Sequence, residues 1–106
     1  MNRAWLVLFV AGLFESGWAV GLEYADGFTD LRATIWVVVT MAISVYLLAQ
    51  AVRTLPVGTA YAVWTGIGAV ITAAYGIAVF DEPAGLTRLF FIGLIIAGIV
   101  GLQTTA

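Results

Sequence analysis

The sequence predicts an all-α membrane protein of four transmembrane helices, and composition, segment length and spacing each point there. Of 106 residues, 63% are hydrophobic and 9% charged, where soluble chains run at about half and about a quarter. Mean hydropathy is +1.10. The apolar residues gather into four runs, each near the 20 or so residues that a helix needs to cross a hydrocarbon core of about 30 Å. The polar breaks between runs are too short for any other unit, so residues 1–106 are expected to form a single four-helix transmembrane domain.

The first span covers about 4–22. An arginine ahead of an apolar run has the outline of a signal peptide, but Glu15 interrupts the run and three more apolar segments follow, so the span is read as retained. It ends in Glu23-Tyr24-Ala25-Asp26-Gly27-Phe28-Thr29-Asp30, whose acids and glycine mark an exposed loop. The second span, about 33–52, stops at Arg53-Thr54-Leu55-Pro56, where proline cannot continue a helix but can open the next. The third, about 57–80, ends at Asp81-Glu82-Pro83-Ala84-Gly85, and the fourth covers about 86–102. Connections this short set neighbouring helices antiparallel.

Several chemistries are excluded. With no cysteine there is no thiolate or disulfide, and with no histidine the commonest metal ligand is missing, so neither metal nor cofactor is expected. No nucleophile with a base, metal cluster or phosphate loop appears, so no catalytic residue and no enzyme activity is expected. Arg3, Arg32, Arg53 and Arg88 stand singly in a chain of net charge −2 and form no patch for nucleic acid. The same arginines bear on orientation, because cytoplasmic loops normally carry the excess of Lys and Arg. Arg3 and Arg53 fall on one side of the membrane and Arg32 and Arg88 on the other, a tie that predicts insertion in both orientations, or at least a weakly specified one.

Chemistry concentrates on Glu15. A carboxylate in mid-span costs roughly 2.5 to 3.5 kcal/mol, against about 0.3 to 0.6 returned by each large apolar residue, so its presence calls for a role. One reading is a neutral acid bonded to backbone as helix glue. The functional reading is a proton or cation site, in which an arriving cation expels the proton and proton flow is coupled to export. Gly12 and Trp18 lie three residues to either side and share its helical face; Trp18 also fits an interfacial aromatic belt. In span three, Tyr61 and Trp64 share a face with Thr65 and Gly68, and their OH and NH groups each need a partner when buried. Ser44 is a polar residue in the middle of span two, suited either to the site or to a bond with its own helix backbone. Gly66 and Gly68 allow close helix approach or bending. Gly93, Ala97 and Gly101 repeat at intervals of four in span four, a ridge of small residues for helix contact within the chain or between chains. Four helices leave little room for a translocation cavity, so a second copy is expected, and unspecified orientation allows it to be antiparallel.

The stretches Ala11-Gly12-Leu13-Phe14-Glu15-Ser16-Gly17-Trp18 and Leu55-Pro56-Val57-Gly58-Thr59-Ala60-Tyr61-Ala62-Val63-Trp64-Thr65-Gly66-Ile67-Gly68-Ala69, with the Gly27-Phe28-Thr29 turn, resemble the small multidrug resistance family. Trp18 beyond the acid and Thr65 after Trp64 are similar to its guanidinium-exporter subtype. The resemblance implies a multi-pass protein of the plasma membrane, an antiparallel homodimer or a pair with a paralogous partner, exchanging protons for guanidinium and related guanidinyl cations. It implies that Glu15 of both chains is the shared site, that Trp18, Ser44, Tyr61 and Trp64 line the pocket and that Gly12 makes room for the carboxylates. Guanidinium is planar, pairs with carboxylates through two N–H bonds and stacks on aromatic faces. Export of quaternary ammonium or lipophilic cations is the second reading, and a non-transporting membrane assembly subunit a third of another class. Two positions depart from the family. Glu23 stands where a basic residue is usual, and the usual glycine pair of span four aligns with Gly98 and Phe91, which leaves Gly93, Ala97 and Gly101 as the expected dimer contact.

Overall fold

In lipid, backbone N–H and C=O groups find no water, so an apolar run must satisfy them internally, and a helix does this within one segment. The computed structural model describes residues 3–105. It consists of α1 (Arg3–Ala25), α2 (Leu31–Ala51), α3 (Val57–Val79) and α4 (Leu86–Thr105), all long and apolar enough to cross a membrane. No strand occurs among the described residues.

Local chemistry sets the helix ends. After Ala25, Asp26, Gly27 and Phe28 take positive φ of 48°, 68° and 71°, which breaks α1. Asp30 then caps α2, its carboxylate accepting from the backbone N–H of Ala33 at 3.1 Å. Pro56 sits at the N-cap of α3 with φ −59°. Beyond Val79 the chain reverses at Asp81, φ 57°, and the N–H groups of Phe80 and Glu82 both donate to the Gly76 carbonyl, at 3.0 and 3.1 Å. The Glu82 carboxyl folds onto Gly76, where a Cβ would stand 2.7 Å from its Cδ. Two helices outrun the expected spans at their C-terminal ends, and α2 starts at Leu31 rather than at about 33. α1 passes Leu22 to Ala25, and α4 continues past Leu102 through Thr105, whose hydroxyl donates back to the Gly101 carbonyl at 2.8 Å.

α1 is the centre of the packing. It lies along both α2 and α3, whereas α2 and α3 touch one another little and α4 packs on α3. Glycines open the seams. A Cβ at Gly21 would meet Trp36 at 2.7 Å and Val37 at 2.9 Å, so α2 approaches α1 over a bare backbone, and the Trp36 indole donates to the Gly17 carbonyl at 2.9 Å. Gly66 receives Ile99 and Ile95 of α4 in the same way. The core gathers Leu8, Ala11, Ala51, Ala60, Val63, Trp64 and Ile67. α4 has no buried residue, and large apolar side chains such as Leu86, Phe90 and Leu94 face outward. Arg3 and Arg53 line one cleft at one end of the bundle, while Arg88 approaches Glu82 at 3.7 Å near the end of α3.

Candidate functional site

Glu15 lies near the middle of α1 and is half-buried on the seam with α3. Its carboxyl rests on the backbone of Gly68. A Cβ at that glycine would stand 2.7 Å from Glu15 Cδ and 3.0 Å from Oε1, so a side chain there would displace the carboxyl. The other oxygen, Oε2, is shut from solvent and has no hydrogen-bond partner. No arginine neutralises it, since the only ion pair among the described residues is Arg88 with Glu82. Three residues on, half-buried Trp18 carries an indole Nε1 that is equally enclosed and unpartnered. Leaving a buried donor or acceptor unmade costs about 1–3 kcal/mol. A carboxylate oxygen and an N–H left open on one helical face can be satisfied together, the oxygen by a proton or an N–H cation and the indole by the carboxylate.

Ser44 is fully buried and forms a relay through three helices. The Trp64 indole of α3 donates to Ser44 Oγ at 2.9 Å, and Ser44 Oγ donates to the Ala11 carbonyl of α1 at 2.7 Å. Of the two uses open to Ser44 in the sequence, the bond to its own helix backbone is therefore not made. The α2 hydroxyl instead reaches α1, because Ala11 is small and fully buried and leaves its carbonyl within range. Trp64 is 7% exposed, whereas Tyr61 is 56% exposed with its ring 5.4 Å from the Trp64 ring, an aromatic rim on an otherwise closed relay.

The structure brings Glu15 and Trp18 together on α1, and Ser44 and Trp64 into the relay one turn towards its N-terminus. Gly12 is different. A Cβ there would meet Ile67 Cγ2 at 2.5 Å, so within the chain Gly12 makes room for Ile67, and the bare backbone under the carboxyl is Gly68. Its place four residues after Trp64 puts Gly68 on the Trp64 face but does not mark it as the residue beneath the carboxyl. Gly93, Ala97 and Gly101 are all exposed, with open space beyond both glycines, so packing within the chain does not use that ridge. Beyond Trp18, a cavity of about 520 Å³ runs between α1, α2 and α3, lined among others by Ser16, Gly17, Tyr24, Arg32, Trp36 and Tyr75. The Tyr24 and Tyr75 hydroxyls meet at 2.9 Å, and Phe80 packs on both rings.

Comparison with known proteins gives this arrangement a family. The family model described as Small Multidrug Resistance protein matches residues 3–95. The chain is 56% identical to a guanidinium exporter of Yersinia pseudotuberculosis over 100 residues, covering 94% of this chain and 96% of that one. It is 54% identical to a guanidinium exporter of Citrobacter freundii, over 94% and 95% of the two chains. A guanidinium exporter of Salmonella typhimurium is 52% identical over 103 residues, 97% and 98% of the two. These names agree with the subtype that Trp18 and Thr65 resemble. On that match, and with four membrane-spanning helices, the chain belongs to the small multidrug resistance family and is a multi-pass protein of the cell membrane.

Proposed function

We propose that this protein exports guanidinium and related small guanidinyl cations in exchange for protons, with proton and cation competing for Glu15. The observation that carries the reading is the carboxyl oxygen Oε2, enclosed in mid-membrane with no partner. An acid so placed is neutral when protonated and attracts a cation when it is not, so occupancy by one excludes the other. A paired N–H edge suits a carboxylate better than a spherical or fully alkylated cation does. The names of the relatives, guanidinium exporters at 52–56% identity, support the same substrate.

In this reading Trp18 orients the carboxylate through its free indole N–H, the Trp64–Ser44 relay fixes the wall of the site, and Tyr61 closes it from the exposed side. Gly12 borders the same face. The working unit is an antiparallel homodimer, with Gly93, Ala97 and Gly101 of α4 as the contact, a role that their exposure leaves open to them. Each copy lends one Glu15.

Protein reconstituted into liposomes tests the proposal. Guanidinium should accumulate in vesicles with an acidic interior, in exchange for outflowing protons, and Glu15→Gln should reduce this to the level of empty vesicles. Transport of tetra-alkylammonium without guanidinium would move the protein to quaternary cation export. Stable recovery only with a different, basic partner protein would favour an assembly subunit instead.

A further inference from the structure

Thr72 differs from most of the other threonines of the helices. A helical threonine commonly returns its hydroxyl to the carbonyl three or four residues back, as Thr34, Thr40, Thr65, Thr104 and Thr105 do at 2.7 to 3.1 Å. Thr72 Oγ1 makes no such bond. It is shut from solvent by the protein's own atoms and has no partner.

The register of α1 and α3 locates it. The two helices run parallel, and three contacts fix their alignment: Gly12 against Ile67, Glu15 against Gly68, and the Tyr24 hydroxyl on that of Tyr75. Between the second and third contacts lie Trp18 on α1 and Thr72 on α3. All three buried, unpartnered side-chain polar atoms among the described residues, Glu15 Oε2, Trp18 Nε1 and Thr72 Oγ1, are therefore carried by one stretch of the α1–α3 pair. Their chemistry is complementary. The carboxylate only accepts, the indole only donates, and the hydroxyl does either.

A guanidinium ion arriving there brings more N–H groups than a single carboxylate can take. The indole cannot accept the remainder. Ser44 already donates to Ala11 and accepts from Trp64. Among the buried side chains along α1 and α3, Thr72 Oγ1 is an uncommitted acceptor within the same chain. We propose that Thr72 contacts the substrate, its hydroxyl oxygen accepting an N–H of the guanidinium group whose paired N–H edge rests on Glu15. It thereby favours cations with N–H donors, since a site built around a hydrogen bond discriminates against a ligand unable to make it. This inference rests on the guanidinium reading of the Glu15 site.

The test is guanidinium binding to purified full-length protein over a range of pH, for the wild type, Thr72→Val and Thr72→Ser. Valine keeps the shape of threonine and removes no bond of the fold, so its thermal midpoint in detergent should match the wild type. At high pH, where the carboxylate is charged, Thr72→Val should bind guanidinium about tenfold more weakly, the size of one bond to a charged group. Thr72→Ser should stay within about threefold of the wild type, and in both variants the displacement pH, taken as the pH at which Kd doubles from its high-pH limit and so set by the empty site's own proton affinity, should not move. Wild-type affinity in Thr72→Val would overturn the proposal. So would equal losses in both variants, which mark a steric role, or a moved displacement pH with unchanged high-pH affinity, which marks action through Glu15 alone. Failure of the wild type to bind guanidinium would instead overturn the reading of the Glu15 site.

Discussion

At Gly68 the carboxyl of Glu15 occupies the space that any side chain would need. Gly68→Ala should therefore push the acid off the seam. The expected result is at least a tenfold loss of guanidinium uptake in liposomes with helical content unchanged by circular dichroism, because alanine is the better helix former. Uptake equal to wild type would show that the carboxyl works from another position. Glu15 itself was legible in the sequence, since a mid-span acid stands out against its apolar neighbours. The floor beneath it was not. Whether Gly12 or Gly68 underlies the carboxyl depends on how α1 is rotated against α3, and a 3.6-residue period assigns faces within one helix but no register between two. The same limit hid the reach of Ser44 to Ala11, for a hydroxyl's partner across a seam follows from axial offset rather than from residue type.

Among the elements, the helix ends show where apolar counting stops short. Hydropathy locates the part of a helix that lies in hydrocarbon, and Glu23 and Tyr24 lie outside that part of α1, yet the helix carries both until three left-handed residues break it. Tyr24 is held there by Tyr75 and Phe80, partners from another element that no local pattern announces. At the start of α2 the signal was local. Asp30 opposite the N–H of Ala33 is a side-chain cap, and Asp30→Ala should lower stability by about 1 kcal/mol, read as a fall in the thermal midpoint in detergent micelles. An unchanged midpoint would mean that the Gly27 turn alone fixes the start of the helix.

For the whole molecule, four spans and their order were legible because lipid admits so few alternatives. Orientation is where charge arithmetic becomes a prediction. With arginines tied across the membrane, one added lysine should decide the matter. Thr54→Lys should turn the Arg53 end to the cytoplasm, and Asp81→Lys should turn it outward, each read by labelling of a single introduced cysteine in a chain that has none of its own. If an antiparallel pair does the work, each variant alone should transport at under a tenth of the wild-type rate and the two co-expressed should recover it. Full transport by Thr54→Lys alone would exclude the antiparallel pair. The packing around α1 carries a mechanical consequence of its own. α1 serves as the spine of a book whose two covers, α2 and α3, are bound to it separately and meet only over a short apolar contact and, among the described residues, one side-chain hydrogen bond, the Trp64 indole on the Ser44 hydroxyl. A solute wedged between the covers has that hydrogen bond, worth about 1 kcal/mol, and the short apolar contact to undo, while the binding along the spine stays sewn.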